Sequence, residues 1–348
     1  MARPDYEVLT GHDSSERQFL ITDRYGRPVV NDDGEEILGA PVDGESITMR
    51  ELGKMWYGVN LGIGVMQLMH PEIGAAVDHT GKFWKNPYSR VAVSLDPIMN
   101  VVYADDPRAA GARVRDMHKR IAGVDAKGRH FNALSPDAFY YAHHTFDYGT
   151  VNSATHYNRQ PLTDEDREQM HLESNTWYSY YSMPMNMVPA DYGAKLAYRQ
   201  KMIDEVLEMT PAAERALNLA LDRKPPRPEN VPKAAWMLAK VALVPVTEIM
   251  TTLTVGEMPA EIRQKFDIPF TKEQEMLRDT IRATVRTFDG AVPDPLKYLT
   301  VYNSLQRERG GKHKNWRDGL IHKASSTVID LASTTVDRAN AVRSRIVA

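Results

Sequence analysis

From Ser46 onward, apolar residues recur three and four positions apart in one segment after another, a spacing that buries one face only if the chain coils into α-helices. The pattern predicts helices over Met49 to Met69, Tyr88 to Val102, Asp106 to Ile121, Pro136 to Ser153, Thr163 to Ser182, Asp191 to Met209, Pro211 to Leu221, Pro232 to Leu253, Thr271 to Phe288 and Leu320 to Val347. Thr163, followed by Asp164, Glu165 and Asp166, and Thr271, followed by Glu273 and Gln274, put oxygen acceptors and negative charge where helix N-termini need them. Residues 1–45 are different: polar, with turn signals at Tyr25-Gly26-Arg27-Pro28 and Asn31-Asp32-Asp33-Gly34 beside Val29-Val30 and Ile37-Leu38. They predict a small hairpin or extended arm. The expectation is a mainly α protein with strand confined to the N-terminal polar arm (1–45), followed by a multi-helix domain over 46–348. Pro225-Pro226-Arg227-Pro228 predicts a surface linker near residues 223–231.

A length of 348 residues allows a full-sized core, and 43 Lys plus Arg against 46 Asp plus Glu leave no basic footprint for nucleic acid. Cysteine is absent. That removes disulfides, thiolate haem ligation and iron–sulfur clusters together, so any metal must be held by histidine, carboxylate or a neutral oxygen. The first residues lack the basic-then-apolar pattern of a secretory signal, which predicts a cytoplasmic protein. The most apolar stretch, Ala234 to Met250, is interrupted by Lys240, Pro245 and Glu248, so no transmembrane segment of about 20 apolar residues is expected.

The most informative candidates are Arg115 and His118, because a helix through them places a cation and an imidazole on the face that carries Val114, Met117 and Ile121. A histidine so placed is either a hydrogen-bonded core residue or an axial ligand to iron. Arg90 and Ser94 lie one helical turn apart beside an apolar stripe of Val91, Leu95, Ile98 and Val102. With Arg115 they could offer a guanidinium to a propionate and a hydroxyl to a distal haem face. The plainer alternative is a surface arginine and a serine bonded back to its own helix. Of the other histidines, His12, His313 and His322 sit in polar surroundings. In His143-His144 adjacent ring directions differ by about 100°, so at most one is expected to face a pocket, leaving the other exposed or bonded to a neighbouring helix. Glu168-Gln169-Met170-His171 has the Glu-x-x-His spacing of di-iron helices but occurs once, where two copies are needed, and dipole complementation already explains Glu168.

The series His70-Pro71, Ala75-Ala76-Val77, Asn86-Pro87-Tyr88-Ser89-Arg90, Arg115-Asp116-Met117-His118 with Gly123, Phe131-Asn132-Ala133 and Ser135-Pro136-Asp137 resembles the latex-clearing-protein and MpaB-type oxygenase family, which shares the rubber oxygenase catalytic domain. The likeness continues through Val188-Pro189, Met258-Pro259-Ala260-Glu261-Ile262-Arg263 and Ile268-Pro269-Phe270-Thr271. The resemblance implies a globin-like all-helical fold holding one haem b, with His118 as axial iron ligand, Arg115 as a propionate partner, and Arg90 and Ser94 on the distal helix. Two departures stand out. Val93 replaces the distal lysine of latex-clearing proteins, and Ala122 stands where they carry a further arginine one turn after the ligand. The carboxylate base of the distal pocket has Glu72 as its nearest counterpart.

The function so implied is a haem-dependent oxygenase or oxidase acting with dioxygen on an apolar, isoprenoid- or lipid-like small molecule, with an unidentified redox partner. Two alternatives stand beside it: a helical protein that binds haem or an apolar ligand without turnover, and a cofactor-free helical scaffold in which His118 is a core residue and the methionines fill gaps.

Overall fold

A computed structural model describes residues 18–54, 60–85, 95, 97–222 and 244–299. The protein is mainly α. After an N-terminal meander come helices α1 (Ile47–Leu52), α2 (Gly62–Leu68), α3 (Pro71–Thr80), α4 (Lys82–Lys85), α5 (97–103), α6 (Pro107–Met117), α7 (Pro136–Tyr157), α8 (Asp164–Ser179), α9 (Tyr192–Lys201), α10 (Pro211–Leu221), α11 (Val244–Gly256), α12 (Ala260–Lys265), α13 (Lys272–Asp289) and α14 (Asp294–Lys297). Arg90, Ser94, the linker near 223–231 and the helix expected over Leu320 to Val347 lie outside the described residues.

The arm is a docked meander. Strand β1 (Phe19–Leu20) pairs antiparallel with β2 (Leu38–Gly39), and bridges Thr22↔Pro28 and Val30↔Glu36 close the intervening turns. Ile21 and Ile37 are fully buried, and β2 lies along α8, with Ala40 N–H donating to Leu172 O and Asn175 Nδ2 to Leu38 O.

Strand is not confined to the first 45 residues. Strands β3 (Ala122–Val124) and β4 (His130–Asn132) form an antiparallel hairpin with register Gly123↔Phe131 directly after α6. Its turn repeats a device of the arm. In Asp23-Arg24-Tyr25-Gly26-Arg27 and in Asp125-Ala126-Lys127-Gly128-Arg129, the aspartate accepts backbone N–H groups two and four residues on and pairs with the arginine, while the glycine takes the left-handed conformation. Two other expected helices are divided. Met49 to Met69 gives α1 and α2, with Gly53 as the C-cap of α1. Asp191 to Met209 gives α9 followed by a single π turn over Met202–Val206, where Leu207 N–H reaches back five residues to Met202 O.

Helix α7 is buried nearly all round and separates two apolar clusters. Tyr140 faces one, with Met49, Trp177 and Tyr178, while Tyr141 faces the other, with Met66, Met69 and Leu217. Helix α8 is buried at every residue from Met170 to Ser179. Wholly buried helices normally read as apolar all round, yet these two carry His143, His144, Asp147, Asn152, His171, Glu173 and Asn175 into the interior, and each polar group there needs a partner. Glu173 finds one in the start of α1, accepting from Ile47 N–H and Thr48 N–H. Glu257, at the end of α11, accepts from Arg282 Nη2 at 2.6 Å, Tyr157 Oη at 2.7 Å and Asn152 Nδ2 at 2.7 Å, which ties α11, α13 and α7 together.

Candidate functional site

Helix α6 begins at the N-cap Asp106, whose side chain accepts Ala109 N–H, with Pro107 in the first turn. It lies against the end of α8 so closely that a Cβ on Gly111 would stand 2.1 Å from Tyr180 O, so only glycine allows the contact. The helix ends at Met117, and His118 is its C-cap. This alters the expected burial. Val114 is buried, but Met117, the last residue of the helix, is 55% exposed, and His118 and Ile121, beyond the helix end, are half-buried.

His118 is held by its own helix. Its Nδ1 lies 2.8 Å from Val114 O, an acceptor-only group, so Nδ1 carries the proton and the lone pair is on Nε2. Nε2 makes no hydrogen bond among the described residues. The ring stands edge-on to Phe139 of α7. Arg115 is part-buried. Its Nε donates to Asp116 Oδ1 at 3.0 Å and its Nη1 reaches Tyr181 O at 3.5 Å. Asp116 also pairs with Lys119 at 2.8 Å, and that hydrogen bond, ahead of the one from Arg115, holds its carboxyl below the ordinary value.

Glu72 sits in the first turn of α3, where its Oε2 accepts Asn132 N–H at 3.0 Å, while His79 from the end of α3 packs edge-on against Phe131. Ile121 N–H donates to His118 O, and Ala133 N–H to Ile121 O. The β3–β4 hairpin therefore joins Glu72 and His118 through a few backbone bonds, although the two side chains do not touch. His70, the N-cap residue of α3, is buried and stacked on Tyr141, and burial lowers its pKa to about 4.

His143 and His144 divide as the 100° step implies: His143 bonds the neighbouring helix α8, and of the two only His144 lines a cleft. Both His143 and His144 are buried, since α7 has no solvent face at that level. His143 Nε2 meets Ser174 O and Oγ, whereas neither ring nitrogen of His144 has a partner. His171 Nε2 meets Asn175 Nδ2 at 3.2 Å, and Glu168 turns away to accept Tyr192 N–H at the start of α9. Near them Lys195 of α9 pairs with Asp147 of α7 at 2.7 Å, both almost fully buried. Burial first, and Lys195 second, keep all three imidazoles neutral, with His143 lowered to about 3 and His144 and His171 well below the ordinary value. No cluster of three His, Asp or Glu side chains suited to a metal ion occurs among the described residues. No described helix is long and apolar enough to cross a membrane.

Asp147, Lys195 and Glu257 carry no motif and were missed. A signal existed, since His143, His144 and Asp147 are spaced four and three apart on one helix.

Comparison with protein families sets the class: an oxygenase catalytic domain spans residues 49–289. The chain belongs to the family described as ER-bound oxygenase mpaB/B′/Rubber oxygenase, catalytic domain, and with it to the oxidoreductases. No curated protein and no solved structure matches the chain.

Proposed function

We propose that the chain is a haem b-dependent oxygenase in which His118 Nε2 is the axial ligand and an apolar small molecule is oxidised with dioxygen. The observation that carries this reading is the bond from His118 Nδ1 to Val114 O. It fixes the tautomer and aims Nε2 away from its own helix, which is what the outer hydrogen bond of a metal-bound histidine does. Bound haem would supply the dioxygen chemistry at its open face. Arg115, with Nη2 uncommitted among the described residues, would pair with a propionate together with Arg90, and Ser94 would supply a hydroxyl to the bound ligand. Glu72 spends one oxygen on Asn132 and keeps the other to accept a proton.

The test is the absorption spectrum of the purified protein before and after addition of haem. The expected result is a Soret band in the wild type that is lost or altered in His118→Ala and retained in His143→Ala and His171→Ala, each variant checked for helix content. A folded His118→Ala protein with the wild-type spectrum overturns the ligand assignment. A wild-type chain that takes up no haem overturns the whole reading.

A further inference from the structure

A cleft of about 270 Å³ opens between α7, α9 and the start of α12. One wall is a helical stripe of α7 carrying His144, Asp147 and Val151, and the facing wall is the stripe of α9 carrying Tyr192, Lys195 and Arg199. Phe139, the α7 residue against His118, and His144 are five positions apart, so they point about 140° from each other around the helix. The cleft thus lies across α7 from the His118 region and is a separate place.

Its floor holds buried polar atoms without partners. His144 Nδ1, His144 Nε2 and Asp147 Oδ1 have none. Lys195 Nζ is engaged by Asp147 Oδ2 at 2.7 Å, and as an ammonium with three donors it can serve a second acceptor as well. Each such atom costs about 1–3 kcal/mol when left unpaired. Three of them, on two side chains that line one cleft beside the Lys195 ammonium, describe a site built for a ligand that completes them. Neutral His144 offers one donor and one acceptor, Lys195 offers donors, and Asp147 Oδ1 accepts.

Charge selects the ligand further. The lining carries Arg167, Lys195 and Arg199 against Asp147 and Glu261, an excess of one positive charge that a monoanion balances. Arg167 is engaged by Asp164, whereas Arg199 at the mouth makes no ion pair among the described residues and rests over the Tyr148 ring. Because the Lys195 ammonium and the Asp147 carboxylate are in contact, the groups that meet them must sit on neighbouring atoms of the ligand. A hydroxyl donating to Asp147 Oδ1 and a carboxylate facing Lys195 and Arg199 meet that condition when borne on adjacent carbons. Val151 and Leu196 add apolar wall.

We propose that this cleft is a second ligand site, distinct from the His118 region, that binds a small alpha-hydroxy carboxylate through Asp147, His144, Lys195 and Arg199.

Calorimetric titration of the full chain with mandelate, phenylacetate and styrene glycol tests it, since the second probe lacks the hydroxyl and the third the charge. Mandelate is expected to bind with a Kd of about 1 mM or tighter, and each of the others at least about tenfold more weakly. Arg199→Ala, at the half-buried mouth, and His144→Leu, which keeps bulk but removes both ring nitrogens, should each weaken mandelate about tenfold at unchanged helix content. Lys195→Met paired with Asp147→Asn removes the ion pair without stranding one charge and should abolish the preference for mandelate. Equal binding of the three probes, no binding of mandelate, or unchanged affinity in Arg199→Ala overturns the site. Affinity should be the same with and without added haem, so the outcome is independent of the oxygenase reading.

Discussion

The His118 imidazole stands edge-on to the Phe139 ring, centroids 5.8 Å apart and planes at 81°, so the residue that caps the end of α6 is oriented by the first turn of α7. An aromatic contact of this kind contributes about 0.5–1.5 kcal/mol beyond its buried area. With the Val114 carbonyl on Nδ1, it leaves the ring one orientation and one tautomer. Ring nitrogen chemical shifts in the wild type should therefore report a single Nδ1–H form of His118. Phe139→Leu should give a mixture of tautomers in a folded protein, and a single unchanged form in that variant would show that Phe139 does not hold the ring.

Gly111→Ala should destabilise the protein by about 1–3 kcal/mol in urea unfolding, because the new methyl group meets the Tyr180 carbonyl and α6 must move away from α8. The same shift should lower haem retention, since His118 travels with α6. A variant as stable as the wild type would mean that the two helices do not approach as closely as described.

Glu257→Ala should be among the most damaging single changes outside the candidate sites, at about 3–5 kcal/mol, since it leaves Arg282, Asn152 and Tyr157 without their shared acceptor. Thermal or urea unfolding measures it. Burial alone would raise the Glu257 carboxyl, but Arg282, Tyr157 and Asn152 outweigh it and the net direction is down. The stabilisation is accordingly present above the ordinary carboxylate range and is lost on acidification through the lowered pKa.

A second pH dependence lies higher. His70 and His156 are lowered by burial to about 4, and His143 to about 3 with Lys195 adding to burial. The unfolded chain binds these protons near pH 6.5 while the folded chain does not, so stability is full above pH 6.5 and falls as pH drops from there toward 4. The urea midpoint should decline over that interval, and His143→Gln should flatten the slope. A midpoint constant from pH 7 to pH 4 would contradict the neutral assignment.

Helix positions with local signals were legible in the sequence. The expected Pro211 to Leu221 coincides with α10, and Thr163 and Thr271 both act as N-caps within complete capping boxes. The β3–β4 hairpin was overlooked because three-residue strands carry too little alternation to outweigh a helical pattern, although Asp125, Gly128 and Arg129 repeat the Asp23 turn. His118 and Arg115 were candidates on the sequence alone, which overstated the burial of His118, since periodicity does not say where a helix ends. The polar interior was beyond reach for another reason. Asp147 and Lys195 are remote in sequence, as are Glu257 and Arg282, and apolar counting treats each as a solvent-facing residue until the helices are assembled.

The terminal position of His118 ties ligand occupancy to the opening of a helix end. The amides of His118 and Lys119 bond to Arg115 O and Asp116 O, and that of Ile121 to His118 O. The last turn of a helix is among the first parts of a protein to unfold locally, and exchange of its amide protons with solvent follows that opening. A group bound at Nε2 binds only the closed turn and draws the equilibrium toward it. Slowed deuterium uptake at these three amides would therefore record occupancy of the imidazole even where no colour or turnover is observed.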